Sequence, residues 1–280
     1  LKEHEGEYDG VILSLPNFGD ENGAVHALRD CGVPILIQAY PDEFGKMDFE
    51  HRRDAYCGKF SVMDVFCQFG IPFTTFKPHT IHPLTDGFAK QLRDFAAVCR
   101  IVRGMKRFTI GAIGARTTKF MTVRFDELAL QKYGITVQSY DLSELFARIR
   151  NMQSDRPALA EKIKYLKAYS NFSCVPEAKT EMLAKTAVAI DDMIEQYHLD
   201  SVSLRCWEEM QSEIGIAPCV LLGALNDQGI ATSCEMDLCN AVAMRALNLA
   251  SEEPAACLDW NNNYGDDDDK CILFHCGPIA

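Results

Sequence analysis

"YDGVILSLPNFGDENGAVHALRDCGVPILIQAY", residues 8–40, decides the fold. Its two ends, 8–16 and 32–40, are continuous apolar runs bounded by turn residues, and the stretch between them, "NGAVHALRDC", has a helical pattern. A strand of a parallel sheet is covered by helices on both faces, so it reads as an unbroken apolar run instead of an alternation. Two such strands joined by a helix predict a β-α-β unit. Downstream the pattern repeats, with helical "DAYCGKFSVMDVFCQFG" (54–70), strand-like "IPFTTF" (71–76) and a helix from about Thr85 to Val102. A first parallel α/β layer is thereby assigned to residues 1–103.

A second set opens at "RFTIGAIGA" (107–115), a strand followed by helical "RFDELALQKYG" (124–134) closed by Gly134, and then by the strand "ITVQSYD" (135–141). Asp141 is placed as a helix N-cap, with Glu144 three residues on to complete a capping box. Gly111 and Gly114 follow a strand, but they do not form the G-x-G-x-x-G of a dinucleotide loop, so a sugar-facing or purely structural strand-to-helix turn is the reading adopted. Between 151 and 176 the chain is polar and carries Pro157 and Pro176. Leu183, Ala187, Ile190, Ile194 and Tyr197 then recur as one apolar stripe of a long packing helix over 176–197. "DSVSLRCW" (200–207) is a strand, and the last part of the chain changes to short elements. The fold class is α/β: two Rossmann-like parallel domains, 1–103 and 104–200, followed over 201–280 by a metal-site region that starts a third, partly missing C-terminal portion.

Composition narrows the function. The chain of 280 residues is 48% apolar, enough for sizeable cores, and carries 40 acids against 28 bases, a net charge of −12. Such a surface repels a phosphate backbone, which excludes nucleic acid as the main ligand. No apolar run approaches the roughly 20 residues needed to span a bilayer. The opening "LKEHEGEYDG" has neither the basic nor the apolar region of a signal peptide. The expectation is a cytoplasmic protein with no membrane contact. Leu at position 1 and a stop just beyond "FHCGPIA" read as part of a longer polypeptide. Seven of the twelve cysteines fall after residue 200, no C-x-x-C occurs, and most lie in apolar segments, so reduced thiols are expected in place of a disulfide framework.

Near the end, "YGDDDDKCILFHCG" (264–277) sets four aspartates ahead of a histidine. Adjacent acids do not face one ion together, and calcium loops alternate their ligands, so Asp266–Asp269 read as a solvated turn after Gly265. His275 ends an apolar strand. Other strand ends carry acids: "SVSLRCWEEM" closes on Trp207, Glu208 and Glu209, and "GIATSCEMDLCNAVAM" on Glu235 and Asp237 before a helix. Ligands of parallel α/β proteins gather at the carboxyl ends of strands. Two carboxylates and an imidazole converging there suit manganese or magnesium better than a thiolate metal. Side chains alternate along a strand, so one residue of each close pair faces the ion; the residues leave open Glu208 or Glu209, and Glu235 or Asp237.

"LRCWEEM" (204–210), "GALNDQGIATSCEMDLCNAVAM" (223–244) and "ILFHCG" (272–277) resemble, in order and separation, segments of the L-fucose isomerase-like family of aldose–ketose isomerases, and "IGAIGARTTKFMTVRFDELALQKYGI" (110–135) resembles that family's second domain. The resemblance implies a manganese ion, with magnesium or another divalent cation as alternatives, held by Glu209, Asp237 and His275. It implies isomerisation of an open-chain, fucose- or arabinose-like or modified sugar through a cis-enediol, with Glu209 and Asp237 exchanging the proton between C1 and C2. Trp207 and Asn261, in "DWNNN", are the candidates for binding sugar hydroxyls. A homo-oligomer, trimer or hexamer, is implied, since such sites are completed by neighbouring subunits. The rival readings are a non-catalytic sugar-binding module on the same scaffold and a metal-dependent aldolase or hydrolase; the latter wants a lysine or a positioned water that the nearby sequence does not single out.

Overall fold

The computed structural model describes residues 1–279. They form an α/β protein with parallel sheets, divided into two compact units, Leu1–Arg103 and the chain from Gly104 onward.

In the first unit, β1 (Val11–Leu15) and β2 (Ile35–Ala39) pair in parallel from Val11↔Ile35 to Leu15↔Ala39, joined by α1 (Glu21–Leu28). Asp20 caps α1 by accepting from the amides of Asn22 and Gly23, which satisfies donors that have no partner inside the helix. Then come α2 (Ala55–Gln68) and α3 (Asp86–Met105). β2 is buried along its whole length and divides its side chains by the two-residue period of a strand. Ile35, Ile37 and Ala39 pack with Val25, Leu28, Val62 and Phe66, while Leu36 packs with Phe88 and Phe95. β1 is different, because its burial alternates and Ile12 is exposed. "IPFTTF" contributes only an isolated bridge, Leu36↔Thr74, with a second at Ala39↔Thr80, and makes no strand of its own.

Lys59, on α2, is 2% exposed, and its Nζ donates to the carbonyl of His79 at 3.0 Å. Burial lowers its pKa from 10.5 to about 8.

The second unit holds β3 (Phe108–Ile113), α4 (Glu127–Lys132), β4 (Ile135–Tyr140), α5 (Leu142–Asn151), α6 (Pro157–Tyr169), α7 (Glu177–Tyr197), β5 (Ser201–Leu204), α8 (Glu209–Glu213), α9 (Cys219–Asp227), β6 (Thr232–Cys234) and α10 (Leu238–Ser251). Its four strands are parallel in the order β4-β3-β5-β6. β5 and β6 thus share a sheet with β3 and β4, and the division placed at residue 200 runs through one core. The apolar residues of β5, Val202 and Leu204, pack with Leu145, Ile190 and Met193 of the preceding helices, so α7 and β5 cannot be assigned to separate domains. The other face of the sheet packs Phe108, Ile110 and Ala112 against Met236, Leu238 and Ala241.

The polar stretch from 151 hides α6, whose Pro157 stands in its first turn, where a missing amide proton has no consequence. Asp141 caps α5 through the amide of Ser143, but the capping box does not close: the Glu144 carboxylate accepts instead from Arg148 and from the Tyr197 hydroxyl. Gly111 and Gly114 serve packing. A Cβ at Gly111 would come within 2.5 Å of Leu199, and one at Gly114, whose φ is +94, within 2.7 Å of the Arg205 Cβ.

The unit ends in an antiparallel hairpin, β7 (Asp259–Tyr264) and β8 (Asp267–Phe274), with register shifts between Trp260 and Asn262 and between Asn263 and Tyr264. Its turn is at Gly265, with φ +59. Both strands lie almost wholly exposed. All twelve cysteines are free thiols. No helix among the described residues is long and apolar enough to cross a membrane.

Candidate functional site

Three strands of the second unit, β3, β5 and β6, deliver their carboxyl ends to one edge of the sheet, and the loops leaving them carry the candidate residues. β5 stops at Leu204, so Glu208 and Glu209 do not alternate along a strand as expected; they lie where the chain turns into α8. β6 likewise stops at Cys234. Glu235 and Met236 then take the left-handed backbone conformation (φ 58 and 65), and Asp237 caps α10. Strand alternation therefore does not select within either pair, and local contacts do.

Glu209 is held by Arg205, four residues earlier. Nε of Arg205 donates to Oε2 at 2.6 Å and Nη2 to Oε1 at 2.5 Å, while the Glu208 amide donates to Oε2 at 3.0 Å. The Arg205 hydrogen bond, more than the guanidinium charge, holds the Glu209 carboxyl below the usual carboxylate range. Glu208 instead points to Lys119, whose Nζ donates to Oε1 at 2.6 Å, and both side chains of that pair are largely exposed. Asp237 accepts from the Asn240 amide at 3.3 Å and from Asn240 Nδ2. Glu235 is half-buried. Burial pushes its carboxyl up, the Asp259 and Asp237 carboxylates push the same way, and His275 opposes them.

His275 follows β8 directly. Its Nδ1 contacts the Cys257 carbonyl at 2.8 Å. A carbonyl only accepts, so Nδ1 carries a proton, and Nε2 lies 3.5 Å from Cys234 Sγ. Behind Cys234, β6 is tied down by a buried hydrogen bond from Ser233 Oγ to Ser203 Oγ at 2.8 Å.

Trp207 is 41% exposed and stacks on Phe120 with ring centroids 5.3 Å apart. Phe120 is presented by the loop after β3, which Arg116 braces through the carbonyls of Thr117, Thr118 and Phe120. Thr117 Oγ1 donates to the Trp207 carbonyl at 3.2 Å and joins the two loops. The Trp207–Glu208 peptide is cis. Asn261 lies on β7, exposed, at the first register shift of the hairpin.

Glu209, Asp237 and His275 are not gathered into a ligand set. Among the described residues no three His, Cys, Asp or Glu side chains stand together so as to hold a metal ion. A guanidinium takes both oxygens of Glu209, and the Asp237 carboxylate is spent on the start of α10. The residues as placed do not fit the ion. Asp266–Asp269 form no site either, since Asp266, Asp268 and Asp269 are exposed along the turn and β8 while Asp267 is paired with Lys270 at 2.7 Å.

Arg205, Lys119 and Phe120 were not singled out by sequence reading. For Arg205 a signal was present, a base four residues ahead of an acid in "LRCWEEM". Lys119 and Phe120 reach the site only because β3 and β5 are neighbours.

Residues 1–106 match the family model described as the fucose/sulfoquinovose isomerase N-terminal domain. Across its whole length the chain is 25% identical over 285 residues to a sulfoquinovose isomerase of Alkalicoccus urumqiensis, covering 62% of that protein. It is 24% identical over 276 residues to one of Priestia megaterium, with 97% of the chain and 60% of the relative covered. A third, from a Clostridium species, is 23% identical over 199 residues, 71% of the chain and 44% of the relative. The chain thus spans about three-fifths of the length of the first two relatives. The N-terminal-domain match and this similarity along the chain support the resemblance to the L-fucose isomerase-like family.

Proposed function

We propose that the protein is an aldose–ketose isomerase that moves a proton between C1 and C2 of an open-chain sugar through a cis-enediol. The observation that carries this reading is the opposite tuning of two carboxyls beyond neighbouring strands. Glu209 is kept ionised by Arg205, while burial and like charges favour the protonated form of Glu235. Carboxyls whose environments push their pKa values apart are suited to serve as base and acid. Glu209 is assigned as the base that takes the carbon proton and Glu235 as the acid that protonates the developing enediolate oxygen. Asp237, first expected in the catalytic pair, caps α10 and orients the turn that carries Glu235. Trp207, stacked on Phe120, offers an aromatic face to the sugar ring carbons.

A divalent ion, manganese first, belongs to the reading through the family resemblance. When bound it would stabilise charge on O1 and O2. Its ligand set is not assembled here, so the proton transfers are assigned to the side chains alone. A homo-oligomer is proposed with it, supported by the exposed Trp260, Leu273 and Phe274 of the hairpin. The relatives are named for sulfoquinovose, so that sugar heads the substrate panel, with fucose and arabinose beside it.

The test is incubation of the intact protein with each sugar in deuterated water, reading ketose formation and deuterium at the receiving carbon by NMR. Turnover should fall about 10²- to 10⁴-fold in Glu209→Gln, which keeps the shape and loses the base. Sugar binding with no interconversion by the wild type, with or without manganese, would leave the binding-module reading in its place.

A further inference from the structure

Helix residues three and four positions apart share one face. Near the end of α10 that face carries Arg245, Asn248 and Leu249, and it borders a cavity of about 290 Å³. Asp227 at the end of α9, Gly229 just beyond it and Glu253 just past α10 line the same cavity. Gly229 leads into the amino end of β6, so the cavity lies across the sheet from the carboxyl ends that carry the candidate site.

The wall of this cavity is polar without internal partners. Asn248 is 8% exposed, and among the described residues neither its Nδ2 nor its Oδ1 has a hydrogen-bond partner. Arg245 Nε is buried and equally unpartnered, while Nη1 of the same guanidinium donates to the Gly229 carbonyl at 3.4 Å. Desolvating an amide with nothing to bond it is costly, and an apolar residue would fill the wall without that cost. The amide is covered by its neighbours, but no hydrogen bond opposes a small turn of the side chain into the cavity.

Charge is divided between floor and rim. The guanidinium belongs to the floor, and Asp227 and Glu253 are exposed at the rim, beside the last carbonyls of α10, which also favour positive charge. A simple anion suits the floor and is repelled by the rim, and a simple cation meets the reverse. We propose that the cavity binds a free aliphatic α-amino acid. Its carboxylate lies on Arg245 and the Asn248 amide, its ammonium faces Asp227 and Glu253, and its side chain rests on Leu249.

The experiment uses nitrogen-labelled intact protein, with L-leucine as the probe and its two half-molecules as controls: isocaproate, which lacks the ammonium, and isoamylamine, which lacks the carboxylate. L-leucine should shift the Asn248 side-chain amide resonances saturably, and each half-molecule should bind at least about tenfold more weakly. No saturable shift with L-leucine overturns the proposal and leaves Asn248 to solvent alone. Equal binding by isocaproate or by isoamylamine overturns it too, in favour of an anion or a cation site. By isothermal titration, Arg245→Gln should weaken L-leucine binding at least about tenfold and the exposed Glu253→Gln about two- to fivefold. Unchanged affinity in a folded Arg245→Gln refutes the assignment, and the wild-type comparison decides the matter should that variant not fold.

Discussion

Lys59 offers a test of the first unit that can be worked through in numbers. It is buried on α2 with one hydrogen bond, to the His79 carbonyl, and burial holds its pKa at about 8 against an ordinary 10.5. At about 1.4 kcal/mol per pH unit, that gap amounts to about 3 kcal/mol of penalty for keeping the ammonium charged inside. A folded-state pKa below the unfolded one means that between pH 8 and 10.5 the unfolded chain binds the extra proton, so stability rises with pH across that window. Below pH 8 the penalty is present in full. Lys59→Met removes the titrating group, keeps the length of the stem and leaves the His79 carbonyl without its donor. Urea unfolding followed by circular dichroism at pH 7 and pH 10, on both proteins in parallel, cancels the thiols and tyrosines common to them. Wild type should gain about 2.5 kcal/mol relative to the variant between these pH values. Parallel pH profiles would refute the depressed pKa, and a gain in the opposite sense would mean that a hidden anion pairs with the lysine.

Three further outcomes follow from particular contacts. Gly111→Ala should destabilise by about 1–3 kcal/mol because its Cβ meets Leu199 at 2.5 Å, and the same change in a Leu199→Ala background should be milder, which a denaturation double-mutant cycle reads directly. Replacing Asp266–Asp269 with serine should change stability by no more than about 0.5 kcal/mol, because Asp266, Asp268 and Asp269 are exposed and the Asp267–Lys270 pair lies at the surface; urea unfolding reads it. Trp207→Ala should raise KM for sugar about tenfold with little change in kcat, as removal of a stacking surface does, and a fall confined to kcat would reassign Trp207 to the chemistry.

Much of the architecture was legible because it is written in continuous apolar runs. β2, β3 and β4 fall inside the quoted segments, and the stripe from Leu183 to Tyr197 is α7. What escaped has physical reasons. "IPFTTF" has strand composition yet finds only one bridge, since a strand needs a neighbour along its length and composition cannot supply one. α6 was hidden because its stretch is polar and carries Pro157, and a proline, which breaks a helix in its interior, is tolerated in its first turn. At the site, residue types were legible and partners were not. Glu209 could be named from "LRCWEEM", but its pairing with Arg205 depends on the chain turning helical immediately after Trp207. The choice between Glu235 and Asp237 depends on two left-handed residues that no periodicity announces, since neither is glycine.

Those two residues also connect the interior to the proposed acid. Met236 is 3% exposed and packs with Phe108, Ile110 and Leu238, while the residue before it carries the carboxyl whose proton is held by burial. A left-handed backbone at a side chain with a Cβ persists only where its surroundings over-determine it, and here the determinant is the seat of a methionine thioether in the core. Swapping volumes under that seat, at Phe108 or Ile110, would tilt Glu235 without touching it. The trace would be in the alkaline limb of a pH–rate profile, where the proposed acid loses its proton, sooner than in a melting temperature. The hydrophobic layer beneath β6 is thus a tuning element for an acidity set on the layer above it.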